Sequence, residues 1–277
     1  MRFFMAGARI LRRWAFLWAA FPLVLIAGGA WGACVLNVAD ASPRFVRVSS
    51  HGLLAVPRGH LRVTFIGHSS FLVETPGGAS LLTDYNGRDL PPGKPDAVTM
   101  SNPHRTHSSE AVDPDVPLVL RGWNPTRGIA KVDVRIKDAR VFNIPTNFIE
   151  AGGFHTNTNS IFVVEAAGLC VAHLGNLRHL LERESLQELG RIDVLFLSID
   201  GTWTLSHPDA LRVIRQIGPS LVIPMHFDFR GPEPFATLAK KSFPVKVHDQ
   251  DHLLFNRKTL PPRTEILFMR ESGWRPG

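Results

Sequence analysis

A succession of short apolar runs between Leu61 and Ile199 limits this chain to a layered, sheet-rich fold. LRVTFIG, FLVET and ASLLTD come first, followed by DAVTMS (96–101), VPLVLRG (116–122), KVDVRI (131–136), RVFNI (140–144), NSIFVVEA (159–166), LCVAHLG (169–175) and IDVLFLSI (192–199). Each has strand length, and most are short and apolar, so buried sheets are expected. Helical periodicity enters between the later strands. Leu177, Leu180, Leu181, Leu186 and Leu189 recur at helix-compatible spacing before Gly190. Ser206-His207-Pro208-Asp209 has capping-box spacing, and Leu211, Ile214 and Ile217 then offer one apolar face ahead of Gly218. The strand LVIPM follows and delivers His226. Strands first, then strands alternating with helices, predict an α/β protein with two sheets packed face to face and helices outside.

With 44% hydrophobic and 20% charged residues in 277, the composition is that of a folded protein. The net charge of +7 invites a nucleic-acid reading, but Arg2, Arg9, Arg12 and Arg13 precede the first acid, and setting those four aside leaves +3. No dense Lys/Arg cluster remains, so no nucleic-acid partner is expected.

Those arginines introduce WAFLWAAFPLVLIAGGAWGACV, and no charge falls between Arg13 and Asp40. Trp14 to Leu36 would reach about 35 Å as a helix, enough to cross a hydrocarbon core. Basic, then apolar, then small residues also describe a cleavable secretory signal. The run exceeds a usual signal core, which favours an uncleaved anchor; cleavage after Gly32 is the competing outcome. Either way the domain is exported: anchored to the inner membrane of a bacterial source with the domain outside the cytoplasm, or periplasmic or secreted. The expected organisation is a signal anchor or signal peptide over 1–36, a linker over 37–60 and one domain over 61–270.

Two cysteines are present. Cys170 lies inside GLCVAHLG and reads as a small buried apolar residue, while Cys34 follows small residues but lacks the Leu that usually precedes a lipidated cysteine. A bridge between them would need the end of the apolar segment to meet the core, so none is expected.

Metal ligation requires imidazoles or carboxylates converging from several segments, most easily from loops at strand ends. His104 and His107 follow DAVTMS, His173 lies near the end of LCVAHLG, and His226 ends LVIPM. A single histidine so placed is more often structural; three loops behaving alike point to a site.

In motif order, residues 61 to 230 resemble the metallo-β-lactamase superfamily, in the branch that includes ascorbate-phosphate lactonase-like hydrolases. VTFIGHSSFLVE matches its opening strand and Gly-His, LLTDY its strand-end aspartate, and NSIFVVEAAGLCVAHLGN and LVIPMHF its later motifs. The resemblance implies a four-layer αββα sandwich, here preceded by the N-terminal hydrophobic segment, with the site along one edge of the sheets.

Several of the family's ligand positions hold other residues. Where the family has HxHxDH, this chain has Asn102, His104, Thr106 and His107; where it has the bridging aspartate of HLGD, this chain has Asn176; a further histidine position falls on Asn147 or Phe148. Asparagine and threonine are neutral, weaker zinc ligands than imidazole or carboxylate. A dinuclear centre is therefore not expected. The resemblance leaves one zinc or other divalent metal on His104, His107 and His226, with His68, Asp84, Arg105 and His173 supporting the site or lining the pocket. His68 reads as a loop buttress, Asp84 as the first place to seek a replacement carboxylate, with Asp200 and Asp228 after it. His155 reads as an exposed loop histidine. G-x-S-x-G, a Walker A loop, HExxH and paired CxxC are all absent.

Two functions follow. One is a hydrolase of an ester, lactone or phosphoester with a reduced metal site; the other is a non-catalytic protein whose pocket binds a small molecule or a partner. The membrane enters either only through the N-terminal segment.

Overall fold

The computed structural model describes residues 34, 44–46, 55–126, 128–150 and 153–271. The apolar runs form two sheets. One has six strands: β2 (Leu61–Gly67), β3 (Ser70–Glu74), β4 (Ser80–Leu82), β5 (Ala97–Met100), β6 (Val119–Arg121) and β14 (His252–Phe255), in the order β14-β2-β3-β4-β5-β6. The other has nine: β1 (Arg44–Val46), β7 (Asp133–Ile136), β8 (Ala139–Glu150), β9 (Gly153–Ala166), β10 (Leu169–His173), β11 (Val194–Ser198), β12 (Leu221–Met225), β13 (Val245–His248) and β15 (Glu265–Met269). Their order is β1-β7-β8-β9-β10-β11-β12-β15-β13.

Three apolar layers hold the sheets. Between them, Val63, Phe65 and Phe71 of one meet Phe162, Val171, Phe196 and Ile223 of the other. Phe65, Phe71 and Phe196 stack in series across this gap, with ring centroids 4.7 and 3.9 Å apart, and fix the sheet separation beneath the strand ends. On the outer face of the nine-stranded sheet, Ala172, Leu195, Leu197 and Val222 pack against helices α1 (Arg183–Leu189), α2 (His207–Ile217) and α3 (Glu233–Ala239). Strands β11 and β12 are thus apolar throughout because both their faces are covered.

The outer face of the six-stranded sheet differs from expectation. Leu72, Leu82, Val98 and Met100 are covered by Tyr85, Val112, Val116 and Trp123 from connecting segments. Among the described residues no helix lies there, so the second helical layer of an αββα sandwich is replaced by loops.

Helix α2 begins as its capping residues predict: Ser206 accepts the Asp209 amide and its hydroxyl donates to the Asp209 carboxylate, and Gly218 closes the helix in the left-handed region. The leucine pattern from Leu177 misleads. The Leu181 amide donates to Gln216 Oε1 and its carbonyl accepts from Gln216 Nε2, so this backbone is committed to a side chain and α1 starts only at Arg183.

Four segments depart from the sequence reading. Strands β8 and β9 run on past their apolar parts as one long hairpin that shifts register between Thr146 and Phe148. His155, expected in a loop, pairs with Phe148 in that hairpin. Residues 44–46, expected in a linker, form β1 beside β7. Strands β13, β14 and β15 were not expected at all.

The cysteines overturn the expectation most sharply. Cys34 and Cys170 form a disulfide with Cα atoms 5.8 Å apart. Cys34 is buried with Phe142, Ile161 and Leu189, and its carbonyl accepts the Arg191 amide. The end of the apolar N-terminal run therefore does meet the core, and no thiol is left for a lipid. The expected span and cleavage site otherwise lie outside the described residues, among which no helix is long and apolar enough to cross a membrane.

Candidate metal centre

Parallel pairing aligns the strand ends that build the site. Strands β10, β11 and β12 run parallel; His173 closes β10, and Asp200 and His226 come just beyond β11 and β12; β4 and β5 run parallel, and beyond theirs come Asp84 and the loop carrying His107. His68 follows the end of β2. Loops meeting at one sheet edge can converge without disturbing the core.

The convergent group is His68, His107 and His226, each offering a ring nitrogen within 4.8 Å of the others. The rings of His68 and His226 lie 4.0 Å apart and those of His107 and His226 are stacked at 5.1 Å. The His226 amide donates to the His68 carbonyl at 2.7 Å, which ties the two loops at the backbone. His68, Asp84 and His226 all hold positive φ, at 50°, 45° and 56°. Such conformations strain a residue with a Cβ, and three around one cluster mark a place where side-chain direction outweighs local comfort.

Carboxylates set the imidazoles. Asp84, fully buried, takes the Ser101 amide on Oδ1 and His107 Nδ1 on Oδ2 at 2.5 Å. Burial opposes its charge, but His173 and His107, with hydrogen bonds from His107 and Ser101, hold it at about 2. His226 Nδ1 lies 3.1 Å from Asp200 Oδ2. Asp200 also accepts the amides of Thr202, Trp203 and Thr204 and the Thr204 hydroxyl. Despite burial, these donors and His226 hold its carboxyl well below the usual range. With Nδ1 of His107 and His226 directed to carboxylates, Nε2 of each is left for a ligand.

Burial, then the neighbouring His226 and His107, push the His68 imidazole down to about 3. Burial likewise lowers His107, with Asp84 opposing. Nε2 of His68 and Nε2 of His107 are both buried without any hydrogen-bond partner among the described residues. Neutral imidazoles with buried, unpartnered nitrogens are the donor set a divalent transition metal requires.

The sequence named His104 with His107 and His226. The structure instead groups His68 with that pair and leaves His104 exposed on the pocket wall. The His107 amide donates to the His104 carbonyl in a turn, and His104 Nδ1 bonds the Thr106 hydroxyl at 2.8 Å; the His104 ring stands 6.4 Å from that of His107 but is not among the convergent three. His68 carries the same signal as the others, a histidine ending a strand, and was legible on that ground.

The other predicted positions have defined places. His173 is buried beneath the site, its Nε2 donating to the Ser69 carbonyl and its Nδ1 accepting the Gly175 amide. Asn102 accepts the His104 amide and donates to the Thr158 carbonyl, so it clamps the loop. The Asn176 amide donates to Asn159 Oδ1, and its own Oδ1 faces Arg178 Nε at 3.4 Å. Asn147 accepts the Asn157 amide within the β8–β9 hairpin. Thr106 and Arg105 line a pocket of about 440 Å³ above the histidines, together with Asp200 and Asp228. Trp203 and Arg178 also line it and were not singled out by the sequence.

Comparison with known proteins agrees with this architecture. Residues 62–226 match the family described as "Beta-lactamase superfamily domain". UPF0173 metal-dependent hydrolases are similar: one from Methanoculleus marisnigri is 24% identical over 61% of this chain and 81% of its own, and one from Anaeromyxobacter sp. (strain K) is 28% identical over 61% and 76%. Among solved structures, a metallo-beta-lactamase superfamily member from Thermotoga maritima is 24% identical with a TM-score of 0.58, covering 76% of this chain and 98% of that one. Igni18, a metallo hydrolase from Ignicoccus hospitalis, is 19% identical with a TM-score of 0.52, covering 66% and 91%. The family match spans more than half the chain, from β2 to His226, and so takes in all three convergent histidines: this protein belongs to the beta-lactamase superfamily.

Proposed function

We propose that this protein is an exported metal-dependent hydrolase in which His68, His107 and His226 hold one divalent ion, acting on an ester, lactone or phosphoester. The observation that carries this reading is the pair of buried, unpartnered Nε2 atoms of His68 and His107. His173, packed beneath them, instead uses both nitrogens. Zinc suits three imidazoles at a site with room for a further ligand.

His68, His107 and His226 would hold a divalent ion, which would supply Lewis-acid polarisation of a substrate oxygen and a more acidic water. The chain's own work is orientation. Asp84 fixes His107 through Nδ1, Asp200 stands 3.1 Å from His226 Nδ1, and the backbone bond from His226 to His68 ties those two residues together. Asn102 and Thr106 are engaged in neutral hydrogen bonds, and Asn176 bonds Asn159 and faces the Arg178 guanidinium, which supports one ion rather than two.

The disulfide supports export, because the cytosol keeps such thiols reduced. The basic residues followed by an apolar run supply the route, as an anchor or a cleaved signal.

The test is metal content by mass spectrometry on the full chain, purified in neutral detergent without chelators, beside His68→Ala, His107→Ala and His226→Ala. About one equivalent of metal, lost in each variant, is expected; His104→Ala should retain it. Ester, lactone and phosphoester hydrolysis would then be screened. Well-folded, metal-free protein would instead favour a non-catalytic pocket, a reading supported by Asn102 being bonded at both ends into its loop.

A further inference from the structure

The charge balance of the pocket wall singles out a ligand chemistry. Two acids line it, and both are engaged: Asp200 by backbone amides, the Thr204 hydroxyl and His226, and Asp228 by the Arg230 guanidinium and amide. Arg105 is exposed on the wall and, among the described residues, makes no ion pair or hydrogen bond with protein. Arg178 also lines the pocket, its Nε 3.4 Å from Asn176 Oδ1. Asparagine and threonine at positions 102, 106 and 176 add no negative charge nearby.

Aromatic side chains, Trp203 and Phe227, also line the pocket. Trp203 is 65% exposed on a turn whose backbone is held, because its amide and those of Thr202 and Thr204 all bond Asp200. Arg230 donates to the Asp200 carbonyl and the Thr202 hydroxyl, fastening this turn to the loop that carries Phe227. A large exposed aromatic on a held turn at a pocket covers no core of its own.

We infer that the pocket takes an amphipathic anion, its phosphate or carboxylate group between Arg105 and Arg178 and its apolar body against Trp203 and Phe227. The guanidinium fork matches either anion with paired donors. This inference deepens the hydrolase reading by naming the substrate class of the same site.

The probes are naphthylphosphonate, naphthoate, the neutral naphthamide and inorganic phosphate, titrated calorimetrically into the full chain in neutral detergent. The two naphthyl anions should bind at least about tenfold tighter than naphthamide, with the ratio between them separating phosphate from carboxylate preference. Arg105→Gln with Arg178→Gln should remove about tenfold or more of that affinity, and Arg105→Lys should restore part of it. Trp203→Ala should weaken the naphthyl anions but not inorganic phosphate. Metal content is measured in the same samples. Arg-dependent anion binding in a metal-free protein would sink the hydrolase reading and keep this inference. A metal-loaded protein that binds naphthamide as well as the anions, or whose anion affinity survives the double Arg variant, overturns the inference and leaves the hydrolase reading standing.

Discussion

Asp84 and Asp200 decide which nitrogen His107 and His226 present. Replacing Asp84 by Asn keeps the shape but removes the charge that holds the His107 Nδ1 proton, and metal affinity should fall by about 10- to 100-fold in a competition titration with a chromogenic chelator. Acid should act on the same residues. His68 is held near 3 against an ordinary 6.5, and His107 is lowered too, so between those pH values the unfolded chain binds more protons than the folded one. Stability of the metal-free protein should therefore fall as pH drops below 6.5, with a limiting slope of about 1.4 kcal/mol per pH unit for each imidazole. Asp84, lowered to about 2, adds its own loss only below its ordinary 3.8. Urea midpoints at pH 7 and pH 5 check this, and His68→Gln should flatten the difference; an unchanged slope would show that His68 is not the group titrating. At this scale the convergence of His107 and His226 was legible because each lies in a loop that follows a strand inside an ordered motif. His68 was set aside although it carried the same signal, since one-dimensional spacing cannot show which rings converge.

Among the elements, the turn after β10 is tightly packed. Gly175 holds φ 58°, and a Cβ there would stand 2.5 Å from Ser101 Cβ, next to the amide that binds Asp84. Gly175→Ala should cost roughly 1–3 kcal/mol in urea unfolding and reduce metal occupancy through Asp84, whereas Gly168→Ala, with φ 74° but open space, should spare the metal. The apolar strands and the Ser206 cap were readable because burial and capping leave local patterns. The false start of α1 was not, because Gln216, 35 positions away from Leu181, takes up the backbone bonds that a helix would use. The outer ends of β8 and β9 are polar, and backbone pairing across the hairpin, which leaves no period in composition, carries them.

Across the whole molecule, the family fold was legible from motif order, while the replacement of its second helical layer by loops and the disulfide were not. Two cysteines 136 positions apart carry no spacing signal, and the apolar run before Cys34 reads as membrane up to and beyond it. Reduction, or Cys34→Ala with Cys170→Ala, should lower stability by roughly 2–5 kcal/mol, seen as a lower Tm with reductant than without. The same bond changes what a protease can release. The stretch it encloses contains β1 through β9 and both loops that supply His68 and His107, while His226 and Asp200 lie outside it. A cut in the exposed turn at Asn124–Thr126 would leave two fragments that still migrate as one species until a reductant is added. Should the protein be exported as proposed, its backbone could be severed there and the histidines would still remain on a single covalent molecule.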